Sequence, residues 1–351
     1  KKGHDISKGR RDYKKILFPG NYKFEIEYSQ TYYNPPPEDL DGISLLITPI
    51  IVDISVRANN QIPNGRILIE KGQKIEMALN ADWLGRGGKP ALEDQVIWEI
   101  NQLSCQGNFE TRWQEVGKGA WCEYRCNTPG IFRIRARIGD KIFTYTRRFD
   151  EPHTDSTTKY AHIGDSACIG VAENKQEIQL LNIAYHLLGD PCYAYETPWF
   201  NARDLDIALK GEGRYWTETQ RDAAIGAQKL RESMEVKWGI TYFSNNLRNT
   251  PKCNYFLYYQ CRQAGFNIPN KIHLQGFRPP VIAEWKNPST KIGNWLWKSA
   301  GSTLPQPGWI ALDDEHCGFI DYDGGIISGG TFDVNKKITL NFPKYFRIYQ
   351  P

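Results

Sequence analysis

The sequence predicts a protein of more than one domain, an all-β sandwich followed by an α+β domain. Three observations predict it. Between residues 51 and 150 apolar residues alternate with a period of two, in IIVDISVRA, GRILIEKGQKIEMAL, QVIWEI, WCEYRCNTPGIFRIRARI and DKIFTYTRRF. Beyond about residue 155 the period lengthens to that of helices, in NKQEIQLLNIAYHLLGDP and TETQRDAAIGAQKLRESMEVKWG. Near the C-terminus a helix carrying two cysteines precedes a hairpin that opens on a histidine.

Size and composition allow this. The 351 residues leave room for two or three domains with their own cores. Hydrophobic residues make up 40%, aromatics 13% and charged residues 24%, ordinary for a soluble globular chain. The 11 Trp and 19 Tyr could line a groove for a polymer, although cores and domain interfaces are their commoner use. A net charge of +4 permits an anionic partner such as a cell wall and argues against a dedicated nucleic-acid binder, which needs a larger basic excess. No apolar run approaches the ~20 residues of a membrane span, and no apolar signal-peptide core is present. The chain starts with Lys, as a fragment or processed product would.

Residues 1–50 read as a basic tail and linker, from KKGHDISKGRRDYKK to the turn-rich NPPPEDLDG. In 51–150, turn signals such as Pro129-Gly130 and Gly139-Asp140 separate short strands, which makes the block an antiparallel sandwich. Cys122 and Cys126 would face one side of a strand, with Cys105 on a neighbouring segment, so one disulfide among the three is open. Without paired CxxC units a structural zinc site is not expected. From 155 to 351 the first helix stops at Gly189 and Pro191, and the second starts at an N-cap, Thr217. His186 lacks a partner at metal spacing and reads as structural.

The stretch TPKCNYFLYYQCRQAGFNIP, residues 250–269, carries the chemistry. Thr250 as N-cap and Pro251 in the first helical position predict a helix from 251 to about 264, stopped by Gly265. Cys253 then falls in the first turn, where free backbone N–H groups and the positive helix end favour a thiolate. Cys261 lies two turns deeper along the apolar stripe of Phe256, Leu257 and Ala264 and reads as a core thiol. A nucleophilic cysteine needs an imidazole. His4 and His153 lie in tail or linker, His162 and His186 precede the cysteine helix, and His273 follows it in a loop. Only His316 opens a core strand behind the helix, in HCGFI, before the Asp323-Gly324 turn and the return strand Ile326-Ile327-Ser328.

These residues resemble the NlpC-type family of papain-like bacterial cell-wall cysteine peptidases, over the last third of the chain. The family places a Cys at a helix N-terminus, then a Pro-Gly step, here Pro307-Gly308, then a His-x-Gly-hydrophobic strand, here His316 to Phe319. The resemblance implies Ser328, twelve positions after His316, as the third residue that orients the imidazole, with Asp333 or Asn335 as alternatives, and Tyr242 near the oxyanion site. Lys252-Cys253-Asn254-Tyr255 replaces the common Asp-Cys-Ser-Gly, and Trp309 stands where an Asp usually follows the Pro-Gly step. The variant is more similar to the divergent peptidoglycan amidases that bacteria inject into competitors through type VI secretion. CNTPGIFRIRARIGDK resembles the late strands of immunoglobulin-like domains of bacterial surface and secreted proteins, which makes the sandwich immunoglobulin-like.

The resemblance implies a secreted peptidoglycan amidase or endopeptidase that cuts stem peptides in the periplasm of target bacteria through a Cys253 thioester, with no metal or organic cofactor required. Trp285, Trp295 and Trp297 are candidates for its pocket. An immunity protein and a secretion-apparatus component are the partners it implies, with neither nucleic acid nor a membrane span. Asp321 and Asp323 hint at calcium, but the loop lacks the later acid of an EF-hand and reads as a hairpin turn. Two alternatives stay open: a transglutaminase or deamidase acting on host proteins, and a binding or adhesion protein whose cysteine module is a relic.

Overall fold

The computed structural model describes residues 20–22, 45–47, 53–58, 67–80, 96–105, 112–138, 141–143, 167–243, 247, 249–337 and 343–350. His4, His153, His162, the basic N-terminal tail and the NPPPEDLDG linker lie outside them. The architecture is mixed, β-rich in the first half and α+β in the second. Within 1–50, two short strands, β1 (Gly20–Tyr22) and β2 (Leu45–Ile47), pair antiparallel where only tail and linker were expected.

The period-two block supplies β3 (Asp53–Ala58), β4 (Ile67–Glu70), β5 (Lys74–Asn80), β6 (Ile97–Gln102), β7 (Gln114–Lys118), β8 (Trp121–Arg125), β9 (Gly130–Ile138) and β10 (Lys141–Phe143). They form two sheets. One runs β3-β5-β8; the other runs β4-β11-β9-β6-β7, with β10 pairing β9. Its second member, β11 (Ala167–Ala172), comes from beyond the expected boundary at 150 and lies parallel to β4 and antiparallel to β9. Alternate residues of both sheets, among them Ile75, Met77, Trp98, Ile134, Ile169 and Val171, close one core. Glu99, between the core residues Trp98 and Ile100, is itself buried and is paired, its carboxylate accepting from Arg135 Nε at 2.7 Å and Arg137 Nε at 3.2 Å.

The disulfide left open among Cys105, Cys122 and Cys126 is not formed; all eight cysteines are free. Cys122 sits on extended β8 and Cys126 just past it. Four extended residues span roughly 13 Å, while a disulfide tolerates Cα atoms only ~4.4–6.8 Å apart.

The second half contributes five helices among the described residues: α1 (Lys175–His186), α2 (Ala202–Lys210), α3 (Glu218–Trp238), α4 (Cys253–Gln263) and α5 (Ile282–Lys286). Their ends follow local rules. Asn174 caps α1 through Glu177 N–H, and Thr217 forms a reciprocal capping box with Gln220 on α3, which ends on left-handed Gly239. A hairpin of β12 (Lys271–His273) and β13 (Gly276–Arg278) precedes an antiparallel sheet. The sheet consists of β14 (Trp295–Ser299), β15 (Ile310–Leu312), β16 (Cys317–Ile320), β17 (Ile326–Gly329), β18 (Val334–Lys337) and β19 (Tyr345–Tyr349), in the order β14-β19-β15-β16-β17-β18.

Helix α4 packs against β16 and β17, with the Phe256 and Phe319 rings 5.7 Å apart. Leu257, Cys261 and Ala264 are buried on α4, so Cys261 is the core thiol expected. The halves also share a small core: Leu103 and Ile131 from the sandwich meet Trp309, Ala311, Ile320 and Phe346. Gly170 on β11 marks how close they come, because a Cβ there would lie 2.7 Å from Tyr322 Cα.

Candidate active site

The nucleophile helix starts later than its sequence predicts. Thr250 is not the cap; α4 begins at Cys253 with Lys252 in the cap position, making no side-chain capping bond. The reason lies in the lysine. Lys252 is 1% exposed, and its ammonium donates to the carbonyls of Ala194 at 2.9 Å, Tyr195 at 2.9 Å and Thr250 at 3.0 Å. The loop is therefore folded back around the ammonium, and Cys253 becomes the first helical residue. Burial pulls the Lys252 pKa down to about 7, while the three carbonyls act the other way by solvating the charge. At the other end Gly265 is left-handed and Phe266 N–H reaches back to Cys261 O, closing the helix as the glycine predicts.

As the first helical residue, Cys253 has a backbone N–H with no intrahelical acceptor, and its sulfur lies at the positive end of the helix. Three further groups act on it. A hydrogen bond with the Cys317 side chain, a hydrogen bond and positive charge from His316, and the Cys317 backbone N–H hold its thiol well below the usual range, against burial. Cys317 is driven upward by burial and then by the neighbouring Cys253. Of the two thiols, Cys253 is therefore the one favoured to carry the charge.

His316 does not open the strand as expected; β16 starts at Cys317 and His316 ends the four-residue loop from β15. That loop is built by Asp313. Its Oδ1 accepts from the backbone N–H of Glu315 at 2.9 Å and of His316 at 2.6 Å, and its own N–H donates to His316 O. Because His316 precedes the strand, the alternation that would turn it away from Cys317 does not apply, and both reach Cys253. The ring is held from its far side, with His316 Nε2 and Ser328 Oγ 2.6 Å apart, which leaves Nδ1 for the sulfur. Ser328, on β17, is 1% exposed.

Glycine makes this approach possible. A Cβ on Gly318 would lie 2.6 Å from Ile327 O and 2.9 Å from Ser328 Cβ, so only glycine lets β16 pass beside Ser328. Gly329 brings the next turn up to α4, its Cβ position lying 3.8 Å from Cys253 Cα.

Cys253, His316 and Ser328 thus come together, and the other expected residues make contacts of their own. Asn335 sits opposite Ser328 in the β17–β18 register and hydrogen-bonds Asp333, whereas the imidazole bond goes to Ser328. The Tyr242 ring lies flat on His273, centroids 3.8 Å apart, and His273 belongs to β12 rather than a loop. Trp285 and Trp295 are core residues, 0% and 2% exposed and packed edge to face, so they line no open pocket here. Trp297 is half-buried, its Nε1–H donating to Lys286 O at 2.9 Å.

His186 is exposed in the last turn of α1, where a cation suits the helix dipole. Where the DYDGG turn hints at calcium, Lys336 already supplies the cation, its Nζ 2.9 Å from Asp321 and 2.7 Å from Asp323. Among the described residues no group of three or more His, Cys, Asp or Glu is gathered for a metal, and no helix is long and apolar enough to cross a membrane.

Sequence reasoning missed Asp313, Cys317 and the buried role of Lys252. DDEH carries the signal of an Asx turn, an Asp three residues before the residue it holds; nothing local marks the other two.

Comparison with family models, with curated proteins and with solved structures found no match to the chain. The chemistry open to the site therefore rests on the arrangement: a cysteine with a lowered pKa at a helix start, near an imidazole held by Ser328, has the residue types that acyl transfer uses.

Proposed function

We propose that the protein is a cysteine hydrolase that cuts an amide bond in peptidoglycan stem peptides, a papain-like NlpC-type domain behind an immunoglobulin-like sandwich. One observation carries the reading: Cys253, the first residue of α4, has its thiol pKa held low by Cys317 and His316, and the His316 ring meets Ser328 at 2.6 Å. The Cys253 thiolate attacks the amide carbon and the carbonyl electrons move onto oxygen. The unpaired N–H of Cys253 donates to that oxyanion. His316 gives its proton to the leaving amine as the C–N bond breaks, leaving a thioester. Water, losing a proton to His316, then attacks the thioester and releases the thiolate. Ser328 keeps the imidazole in plane through both steps.

Cys253 is 1% exposed, so substrate entry requires its cover to move. The cell-wall substrate class is supported by the spacing of Cys253, Pro307-Gly308, His316 and Gly318, and the antibacterial-effector reading by the Lys252-Cys253-Asn254-Tyr255 variant. A secreted effector acting in the periplasm of target bacteria would have an immunity protein and a secretion component as partners.

The test is mass spectrometry of fragments released from purified Gram-negative peptidoglycan by the wild type and by Cys253→Ala. Stem-peptide cleavage by the wild type alone is the expected result and names the bond. No release by folded wild-type protein on accessible substrate would overturn the reading and turn attention to protein substrates.

A further inference from the structure

We propose that Cys253 and Cys317 are a redox pair: an oxidant such as a hydroperoxide joins them in a disulfide that silences the nucleophile and spares it from irreversible oxidation until a thiol reductant reopens the bond. The inference goes beyond amide hydrolysis, because what it concerns is the state of two sulfur atoms.

The fold brings them together by two independent routes. In the β16–β17 ladder Phe319 faces Ile327 and Ile320 faces Ile326, a register that runs back to set Cys317 across from Gly329. Gly329 is also where α4 starts against the sheet, its Cβ position 3.8 Å from Cys253 Cα. Cys317 from the ladder and Cys253 from α4 thus flank the same glycine, and both cysteines are 1% exposed in one core. Each thiol also acts on the ionisation of the other. A disulfide needs its two Cα atoms ~4.4–6.8 Å apart, which packing on one glycine allows. The remaining thiol of α4, Cys261, lies two turns deeper and is fully buried, with its thiol pushed well up.

The chemistry balances with one equivalent of peroxide. The Cys253 thiolate attacks a peroxide oxygen; the S–O bond forms, the O–O bond breaks, and hydroxide leaves, so sulfur is oxidised and peroxide reduced. Cys317 then gives up its proton and attacks the Cys253 sulfenic sulfur. The S–S bond forms, the S–O bond breaks, and the departing hydroxide takes the proton as water. Two thiols and one peroxide become one disulfide and two waters. Without Cys317 the sulfenic acid has no resolving thiol beside it and continues to the sulfinic and sulfonic acids, which thiol reductants do not reverse.

The experiment treats the full chain with dilute hydrogen peroxide, alkylates the remaining thiols and maps the peptides by mass spectrometry, for the wild type, Cys317→Ala and Cys317→Ser. The expected result is a peptide linking Cys253 to Cys317 in the wild type, reversed by dithiothreitol, with sulfinic acid at Cys253 accumulating about tenfold faster in both variants. A Cys253 that reaches sulfinic acid at one rate in all three proteins without forming the link overturns the proposal, as does a Cys317–Cys261 link with Cys253 left free. Should neither variant fold by circular dichroism, the wild-type map decides alone, by the presence or absence of the Cys253–Cys317 peptide. A protein that makes the link but whose dithiothreitol-reduced form releases no stem peptides would sink the hydrolase reading and leave the pair standing.

Discussion

Ser328 presents the imidazole with a single hydroxyl, a weaker hold than a carboxylate or amide gives, and Gly318 compensates by bringing the strands close enough for a 2.6 Å contact. Ionisation of Cys253 rests first on Cys317 and then on His316, and Ser328 touches it only through the His316 ring. Ser328→Ala should therefore lower kcat by roughly tenfold with little change in KM, since orientation is lost while acid–base chemistry worth ~10²–10⁴ remains. A fall confined to KM would show that Ser328 binds substrate instead. The depressed thiol has its own signature. At about pH 6, well under the ~8.5 of a free cysteine, iodoacetamide should label Cys253 ahead of Cys261 and Cys317, and His316→Ala should remove that lead. Equal labelling of the three would argue that no thiolate is held there.

At the scale of elements, α1 anchors the second half to β4 and β11, and it begins on an unusual carboxyl. Glu177 is 2% exposed and accepts from Glu173 N–H at 2.9 Å; burial outweighs the two backbone hydrogen bonds and lifts its pKa to about 7. An unfolded glutamate titrates near ~4.3, so between those values the folded chain binds more protons and stability falls as pH rises. Glu177→Gln keeps an acceptor for Glu173 N–H and removes the charge. It should leave stability near pH 4 almost unchanged and raise it at about pH 8 by about 1–3 kcal/mol in urea titrations. Gly308 presses on the same residue, since a Cβ there would lie 2.6 Å from Glu177 Cβ. The Pro307-Gly308 step thus seats α1 as well as leading into β15.

For the whole molecule, the small core between the halves decides whether they melt together. Trp309 is 6% exposed, with its ring centroid 5.8 Å from that of Phe346, beside Leu103 and Ile131. Removing a buried tryptophan costs ~3–5 kcal/mol. Trp309→Ala should lower Tm and split one calorimetric transition into two as the halves uncouple. A mutant that still melts in one transition, merely shifted, would place the coupling in β11 and its contact with Tyr322 instead.

Much of the candidate site was legible because it depends on near neighbours. The change of period from two to 3.6, the Thr217 cap, the Gly265 stop and the placement of Cys253 in a first turn follow from local backbone sterics and unpaired N–H groups. The Ser328 partnership was implied by the family resemblance, counted along the hairpin from His316. Other features could not be read this way. The start of α4 was misplaced because an ammonium buried against Ala194 and Tyr195, far back in the chain, outweighs a good local cap. Strand β11 was assigned to the wrong half because sheet membership is set by pairing with β4 and β9, which no window of neighbouring residues contains. Sequence by itself determined which residues can ionise, cap and alternate, since those are properties of a residue and its next few neighbours. Only the tertiary structure decided that Cys317 lies by Cys253, that Lys252 is buried against Ala194 and Tyr195 and that Lys336 fills the acidic turn, because those contacts depend on distances the chain acquires only when packed.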